Sequence, residues 1–405
     1  MRILIADKLA PLVAQGLASL PPDTATVETD ATLSGPSLTA RIRTFDPEVL
    51  VVRSTEVHAE QFEAGRSLAL VIRAGAGVNT IDLKTASSRG VYVSNCPGKN
   101  AAAVAELTIG HLINLDRRIA DNVISLRAQR WDKKEFGKAR GLRGRTLALL
   151  GYGQIGHEVA VRATALGLKI VAWSLDLTPA RAEAHGIGHA ATAEEAVAHA
   201  DAVSVHLSLH KETRGIIGRS VFNAMRPGVL FINTSRGEVV DAHALLEALN
   251  ERGLRAGLDV FPDEPTEAVS TYAHDLATHP NVYGTHHIGA STDEAEEAVG
   301  EAVLRIIEAH RQGSSIPNCC NLAAHSPATH LLVVRHADRV GVLAHVLEVL
   351  RAAEHNVQEM QNIVFQGAVA CCARIALVGE PKAESLEAIR TNEAVYAVTV
   401  TRING

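Results

Sequence analysis

Three features of the chain predict an α/β protein with two doubly wound parallel-sheet domains followed by a smaller βαββαβ module. Short apolar runs alternate with Ala-rich helical stretches as far as Arg311, the order that βαβ architecture requires. The runs are near-continuous in apolar residues, which suits strands buried on both faces of a parallel sheet. At 405 residues the chain is long enough for two or three domains.

The first series of strands is expected at "RILIA" (2 to 6), "VLVVRS" (49 to 54), "LALVIRAG" (68 to 75) and "VYVSN" (91 to 95), separated by helical segments. One long helix should run from Ala101 to about Arg130. The second series reads "TLALLG" (146 to 151), "KIVAW" (169 to 173), "AVSVHL" (202 to 207), "GVLFINT" (228 to 234) and "RAGLDVF" (255 to 261), with "NVYGTHH" as a sixth strand. A helix from Asp293 to Arg311 leads to "QGSSIPNCCNLAAHSPATH", whose Gly, Ser, Pro and Asn content marks a linker. Residues 329 to 405 give strand, helix, strand, strand, helix, strand. The expected domains are therefore 1–98 with 290–318, then 99–289, a linker at 319–328, and 329–405.

Composition narrows the function classes. Apolar residues make up 47% and charged residues 21%, ordinary for a soluble globular protein, and the net charge of −6 lacks the basic excess of a nucleic-acid or membrane-surface binder. No window of about 18 apolar residues occurs, and Asp7 and Lys8 interrupt the amino-terminal apolar run, so a cytoplasmic location is expected. Cys96, Cys319, Cys320, Cys371 and Cys372 lack the C-x-x-C spacing of zinc or redox sites, so no metal is expected and the cysteines should fill apolar positions.

The strongest local signal is "LALLGYGQIGHEVAVRATALG". Gly151, Gly153 and Gly156 form G-x-G-x-x-G after a strand and at the mouth of a helix, where the glycines let the turn approach a pyrophosphate seated on free helix N–H groups. This marks the second series as a Rossmann-like dinucleotide domain, and the first series as a second one of similar build. The ribose-binding acid of such sites lies about 20 residues on. Counting reaches Asp176, but the strand ends at Trp173, so Ser174 should face the ribose. NAD is favoured, NADP is not excluded, and Arg181 is a candidate phosphate partner.

Further along stand "INTSRGEVVD" with Arg236, "GLDVFPDEP" with Glu264, and "THHIG" with His286 and His287. An Arg, an acid and a His, each after a successive strand, converge at the carboxyl edge of a parallel sheet, where ligands bind. Hydride transfer between a substrate carbon and a dinucleotide goes with movement of a proton, so a base titrating near neutrality is wanted, and a histidine supplies it. An acid against the histidine would raise its pKa and orient the ring. An arginine offers a planar fork of donors to substrate oxygens. Successive residues of an extended segment point to opposite faces, which fits one working histidine in the doublet.

Over about residues 45 to 318 the chain resembles the D-2-hydroxyacid dehydrogenases, through "VRSTEV", "RAGAGVNTIDL", "SNCPGKNAAAVAEL", "QRWDKKEF", "GYGQIG", "NTSRGE", "DVFPDEP" and "HIGAST". Within the family these look most like the branch that acts on D-3-phosphoglycerate. The resemblance implies a catalytic trio of Arg236, Glu264 and His287, with His286 where members often carry Pro. It implies cofactor contacts from Gly151, Gly153, Gln154, Ile155, Gly156, Ser174, Asp176, His206, Leu207 and Thr213. Thr234, Ser235, Arg236, Asp259, His287 and Gly289 complete that set. The implied substrate contacts are Arg53, Ser54, Arg73, Ala76, Gly77, Val78, Arg236 and His287. A phosphorylated 2-hydroxy acid wants extra cations, and Arg53, Arg73, Arg130, Lys133 and Lys134 are the candidates, in segments that flank the cleft or, as the resemblance implies, reach it from a neighbouring subunit. Assembly as a homodimer or homotetramer is expected.

Residues 329 to 405 resemble an ACT domain, a small regulatory module, with "VRHADRVGVLAHV" as its signature turn and Gly341 allowing the strand to pass into the helix. His336, Asp338 and Asn356 match amino-acid-effector positions, although Asp338 stands where an Asn is found and Val340 where Pro is usual. The trio does not encode the substrate's side chain, so a hydroxypyruvate or other D-2-hydroxyacid reductase stays open. A nucleotide-sensing regulatory protein is the alternative of another class, and the intact trio counts against it.

Overall fold

The computed structural model describes residues 1–403 apart from 22 and 266–268. The chain divides into two units, Met1–Asn321 and Leu322–Gly405.

The first unit opens with β1 (Arg2–Ile5), α1 (Pro11–Ala18), β2 (Thr26–Thr29), α2 (Gly35–Phe45), β3 (Val49–Val52), α3 (Ala59–Ala64), β4 (Leu70–Arg73), α4 (Leu83–Ser88) and β5 (Tyr92–Asn95). Its sheet is parallel throughout, in the order β2-β1-β3-β4-β5. The second lobe follows as α5 (Ala101–Arg117), α6 (Ile119–Arg127), α7 (Lys133–Phe136), β6 (Thr146–Leu150), α8 (Gln154–Ala165), β7 (Lys169–Trp173), α9 (Pro179–Ala184), β8 (Gly188–His189), α10 (Ala193–Ala198) and β9 (Ala202–Val205). It continues through α11 (Arg219–Ala224), β10 (Leu230–Asn233), α12 (Ala242–Glu251), β11 (Arg255–Leu258), α13 (Asp275–Thr278) and β12 (Val282–Gly284). The order β12-β11-β10-β9-β6-β7-β8 reverses direction between β6 and β9, the switch point at which doubly wound sheets bind nucleotides.

Both sheets are buried on both faces, as the unbroken apolar strands require. Leu147, Leu149 and Ile232 pack against Leu112 and Leu115 of α5, while Leu150, Val203 and Phe231 face the opposite core. Helix α14 (Asp293–Arg311) returns to the first lobe, where Val303, Ile306 and Ile307 join Ile3, Val49 and Leu70.

Several expectations are corrected. The helix expected from Ala101 to Arg130 breaks at Arg118, whose φ of +53° places it in the left-handed region between α5 and α6. Strand β2, "TVET", was absent from the expected set because it is a mostly exposed edge strand with no apolar run to mark it. The expected linker 319–328 begins inside the first unit, since Cys320 N–H bonds Val93 O at 2.7 Å and the Asn321 amide donates to Val91 O at 2.8 Å. The cysteines divide, with Cys96 and Cys371 buried but Cys320 exposed.

The second unit has β13 (His330–Ala337), α15 (Val342–Ala352), β14 (Val357–Val364), β15 (Ala370–Leu377), α16 (Ala383–Arg390) and β16 (Val395–Arg402). These form the expected βαββαβ order, with an antiparallel sheet β14-β15-β13-β16. Gly341, at φ +91°, caps the start of α15, a backbone conformation that glycine reaches without a Cβ penalty.

Candidate active site

The glycine-rich turn joins β6 to α8 at the switch point. A Cβ on Gly151 would stand 2.5 Å from the His206 carbonyl oxygen, and one on Gly156 would stand 2.5 Å from the carbonyl oxygen of Gly151. Neither site tolerates a side chain, whereas Gly153 faces open space. No side chain caps the N-terminus of α8, so its first N–H groups point into that opening. This cradle fits the pyrophosphate of a dinucleotide.

Ser174 follows β7 directly and donates to Asp176 at 2.6 Å; that hydrogen bond first, and Arg181 beside it, hold the Asp176 carboxyl below the usual carboxylate range. Arg181 bonds Asp176 at 3.4 Å and the carbonyl of Tyr152, within the glycine-rich turn, also at 3.4 Å. Ser174 and Asp176 thus form one cluster, rather than alternatives. Its carboxylate pairs with Arg181, the candidate phosphate partner. Asp176→Asn is expected to raise the NADPH-to-NADH ratio of kcat/KM about tenfold by releasing Arg181 and removing a repelling charge. Steady-state comparison of the two cofactors checks this, and an unchanged ratio refutes it.

The other expected cofactor contacts split. The hydroxyls of Thr213, Thr234 and Ser235 are buried and bonded to Ser208 O, to Thr108 and to Asn233. The Leu207 side chain lies in the core. These residues are left with backbone groups to offer. Ile155 packs at the edge of the core below the turn, and Gln154 lies against Gly98. Burial pulls the His206 imidazole down to about 3, so it is neutral, with Ser204 on Nε2 at 2.8 Å.

A cleft of about 830 Å³ is lined from both lobes, by Arg53, Ser54 and Arg73 on one side and Asp259, Glu264 and His287 on the other. His287 Nδ1 lies 2.6 Å from Glu264 Oε2. Burial pushes the Glu264 carboxyl up, but the His287 hydrogen bond and charge outweigh it, so the group stays below its ordinary range and ionised. Glu264 also accepts the Phe261 N–H at 2.7 Å, which fixes the position of its carboxylate beside His287. Strand β12 ends at Gly284, and His287 itself has φ +51°, so the doublet is not extended as expected. The physical reason is Asp259. Its carbonyl accepts His287 N–H, and its carboxylate accepts Ile288 N–H, Gly289 N–H and the Thr285 hydroxyl, so the loop wraps around one buried side chain.

Arg236 donates to Ser235 O at 2.6 Å, and its other terminal nitrogen lies against Gly77, where a Cβ would approach to 2.9 Å. The loop Ala76–Val78 is thereby brought to the guanidinium, and Asn95 holds the Ala76 carbonyl at 2.5 Å. Asp7 accepts the backbone N–H groups of Arg53, Ser54 and Thr55, shaping the loop after β3. Arg53 pairs with Glu296 of α14 at 2.8 Å. Arg73 is pulled down to about 10 by burial first and then by the Arg236 and Arg53 charges, and its Nε has no partner among the described residues. Within one chain Arg130 and Lys133 line a surface groove with Trp131 and Phe136, and Lys134 shares the short helix α7 with Lys133. Asp7, Glu296 and Tyr272, whose hydroxyl bonds Pro262 O, were not foreseen, since no local motif announces them.

In the second unit His336 is buried, with Nδ1 on Ala337 O at 2.7 Å and Nε2 on Asn362 at 3.2 Å, whereas Asp338 and Asn356 are exposed. Among the described residues, no cluster of three or more His, Cys, Asp or Glu could hold a metal, and no helix is long and apolar enough to cross a membrane.

Residues 109–289 match the D-isomer specific 2-hydroxyacid dehydrogenase, NAD binding domain. The chain is 41% identical over 264 residues to the hydroxypyruvate reductase of Thermotoga maritima, covering 64% of this chain and 84% of that one. It is 38% identical over 279 residues to the D-3-phosphoglycerate dehydrogenase of Methanocaldococcus jannaschii, covering 68% of this chain but spanning only 52% of that relative's length. Among solved structures, the NAD⁺-bound 3-phosphoglycerate dehydrogenase of Entamoeba histolytica aligns with a TM-score of 0.66 at 25% identity, over 80% of this chain and 99% of that one. A glycine cradle at the switch point and 41% identity across 84% of the Thermotoga relative lead to one assignment: the chain belongs to the D-2-hydroxyacid dehydrogenase family of NAD-dependent oxidoreductases.

Proposed function

We propose that the protein oxidises D-3-phosphoglycerate to 3-phosphohydroxypyruvate, a step toward serine. The observation that carries this reading is a group of arginines at the cleft: among the described residues neither Arg73 nor Arg236 has a carboxylate partner, and Arg53, paired with Glu296, stands close enough for its charge to act on Arg73. A substrate with an anion at each end suits such a site better than one with a single carboxylate.

In this reading, His287 takes the C2 hydroxyl proton on Nε2, because Glu264 holds Nδ1. Arg236 directs its donors at the C2 oxygen and carboxylate, and the N–H groups of 75–78 receive the carboxylate. Bound NAD supplies the hydride acceptor. Initial rates with NADH and 3-phosphohydroxypyruvate, hydroxypyruvate and 2-oxoglutarate in parallel test the proposal. A kcat/KM for hydroxypyruvate equal to or above that for its phosphorylated analogue favours a reductase like the Thermotoga relative.

Ile124, Leu126 and Trp131, exposed by 66%, 56% and 81%, support a homo-oligomer covering α6 and the turn after it. The second unit is proposed to be an ACT-type module binding a small amino acid through Asp338 and Asn356, with His336 as structural support because its ring nitrogens are engaged. Deleting 322–405 is expected to leave turnover within about threefold while removing any response to L-serine. A several-fold response corresponds to a coupling of about 1–3 kcal/mol. Rates that ignore every amino acid in the intact chain would leave the module an assembly role.

A further inference from the structure

Helix α5 carries a buried histidine that the proposed chemistry does not use. His111 is 5% exposed and lies under β11, where glycine at 257 makes room: a Cβ there would come within 2.9 Å of the ring. Its Nε2 is 3.2 Å from the Thr285 hydroxyl, which in turn is 2.6 Å from Asp259 Oδ1. The carboxylate only accepts, so the Thr285 hydroxyl donates to Asp259 and receives the Nε2 proton of His111. Burial pulls the His111 imidazole down from its ordinary value, in keeping with a neutral ring that carries its proton on Nε2.

The far end of this chain of bonds is the loop that bears His287. Asp259 accepts Ile288 N–H at 2.9 Å and Gly289 N–H at 2.8 Å, and its carbonyl accepts His287 N–H at 2.8 Å. His287 has φ +51°, a conformation that persists only where the surroundings over-determine it. Resting on the reading of His287 as the proton-transfer group, we propose that His111 is a positioning residue for His287, acting through Thr285 and Asp259. It anchors the Asp259 carboxylate to α5, and the loop geometry follows from where that carboxylate stands.

The test uses the full chain, with the 2-oxo acid that it reduces fastest, and four variants: His111→Phe, His111→Gln, Thr285→Val and the double variant His111→Phe/Thr285→Val. Phe fills the space without a donor, whereas the Gln amide nitrogen can replace Nε2. His111→Phe is expected to lower kcat by about ten- to hundredfold, the scale of a small misplacement of a reacting group, with the NADH dissociation constant within about twofold of the parent. His111→Gln should recover most of the loss. Thr285→Val should match His111→Phe, and the double variant should be no worse than either, as members of one chain of bonds behave. Parent-like kcat in His111→Phe, equal impairment in His111→Gln, or additive losses in the double variant would each overturn the proposal. Where His111→Phe fails to fold, Thr285→Val decides alone, since a parent-like kcat there breaks the chain at its middle. Failure of the underlying reading is separate, because it shows as retained activity in His287→Asn.

Discussion

His287→Asn is expected to reduce kcat by about 10²–10⁴-fold while leaving NADH affinity within about twofold, the range lost when general acid–base assistance is removed. Asparagine is the informative replacement. It tolerates the left-handed backbone that His287 adopts at φ +51°, so the loop around Asp259 keeps its shape and the loss reports chemistry rather than strain. Glu264 stays in place through its bond from Phe261 N–H. The glycine-rich turn lies on other elements, between β6 and α8, and is untouched. Steady-state rates with the best substrate, together with a fluorescence titration of NADH, separate the two effects. A variant that keeps more than a tenth of parental turnover removes His287 from the role.

Arg236→Lys should lower kcat/KM by about 10²–10³-fold, the cost of losing a donor aimed at developing charge on oxygen. Lysine keeps the charge but not the planar fork. In this structure one terminal nitrogen is held by Ser235 O while the other lies against Gly77, and an ammonium cannot serve both directions. The loss should appear with every 2-oxo acid, because the C2 oxygen and carboxylate are common to them. A decrease restricted to the phosphorylated substrate would place Arg236 at the distal anion instead, leaving Arg53 and Arg73 to be tested at C2.

The readable parts of this chain are those whose physical signal is local. The glycine-rich turn was legible because strand, three glycines and helix lie within one short stretch, and the cradle needs nothing else. Arg236, Glu264 and His287 were legible because each follows a strand of a parallel sheet, and such a sheet delivers its carboxyl ends to one edge. Local patterning failed where a residue's role depends on a distant partner. His336 matched a motif, yet Asn362, on the neighbouring hairpin, occupies its ring.

The sequence by itself determined the α/β class, the two parallel sheets, the βαββαβ module and the placement of Arg236, Glu264 and His287 after successive strands, because hydrophobic periodicity and turn chemistry act over a few residues. Only the tertiary structure decided that α5 stops at Arg118, that Cys320 and Asn321 still belong to the first unit, and that Ser174, Asp176 and Arg181 form one cluster. It also decided that His287 stands in a left-handed turn. Asp259 is 28 residues away from His287, and His111 is further still, so the carboxylate that bends the loop and the imidazole that anchors it meet only when α5, β11 and β12 pack together. Periodicity reports which face of an element is buried; it carries no information about which polar group that face will meet.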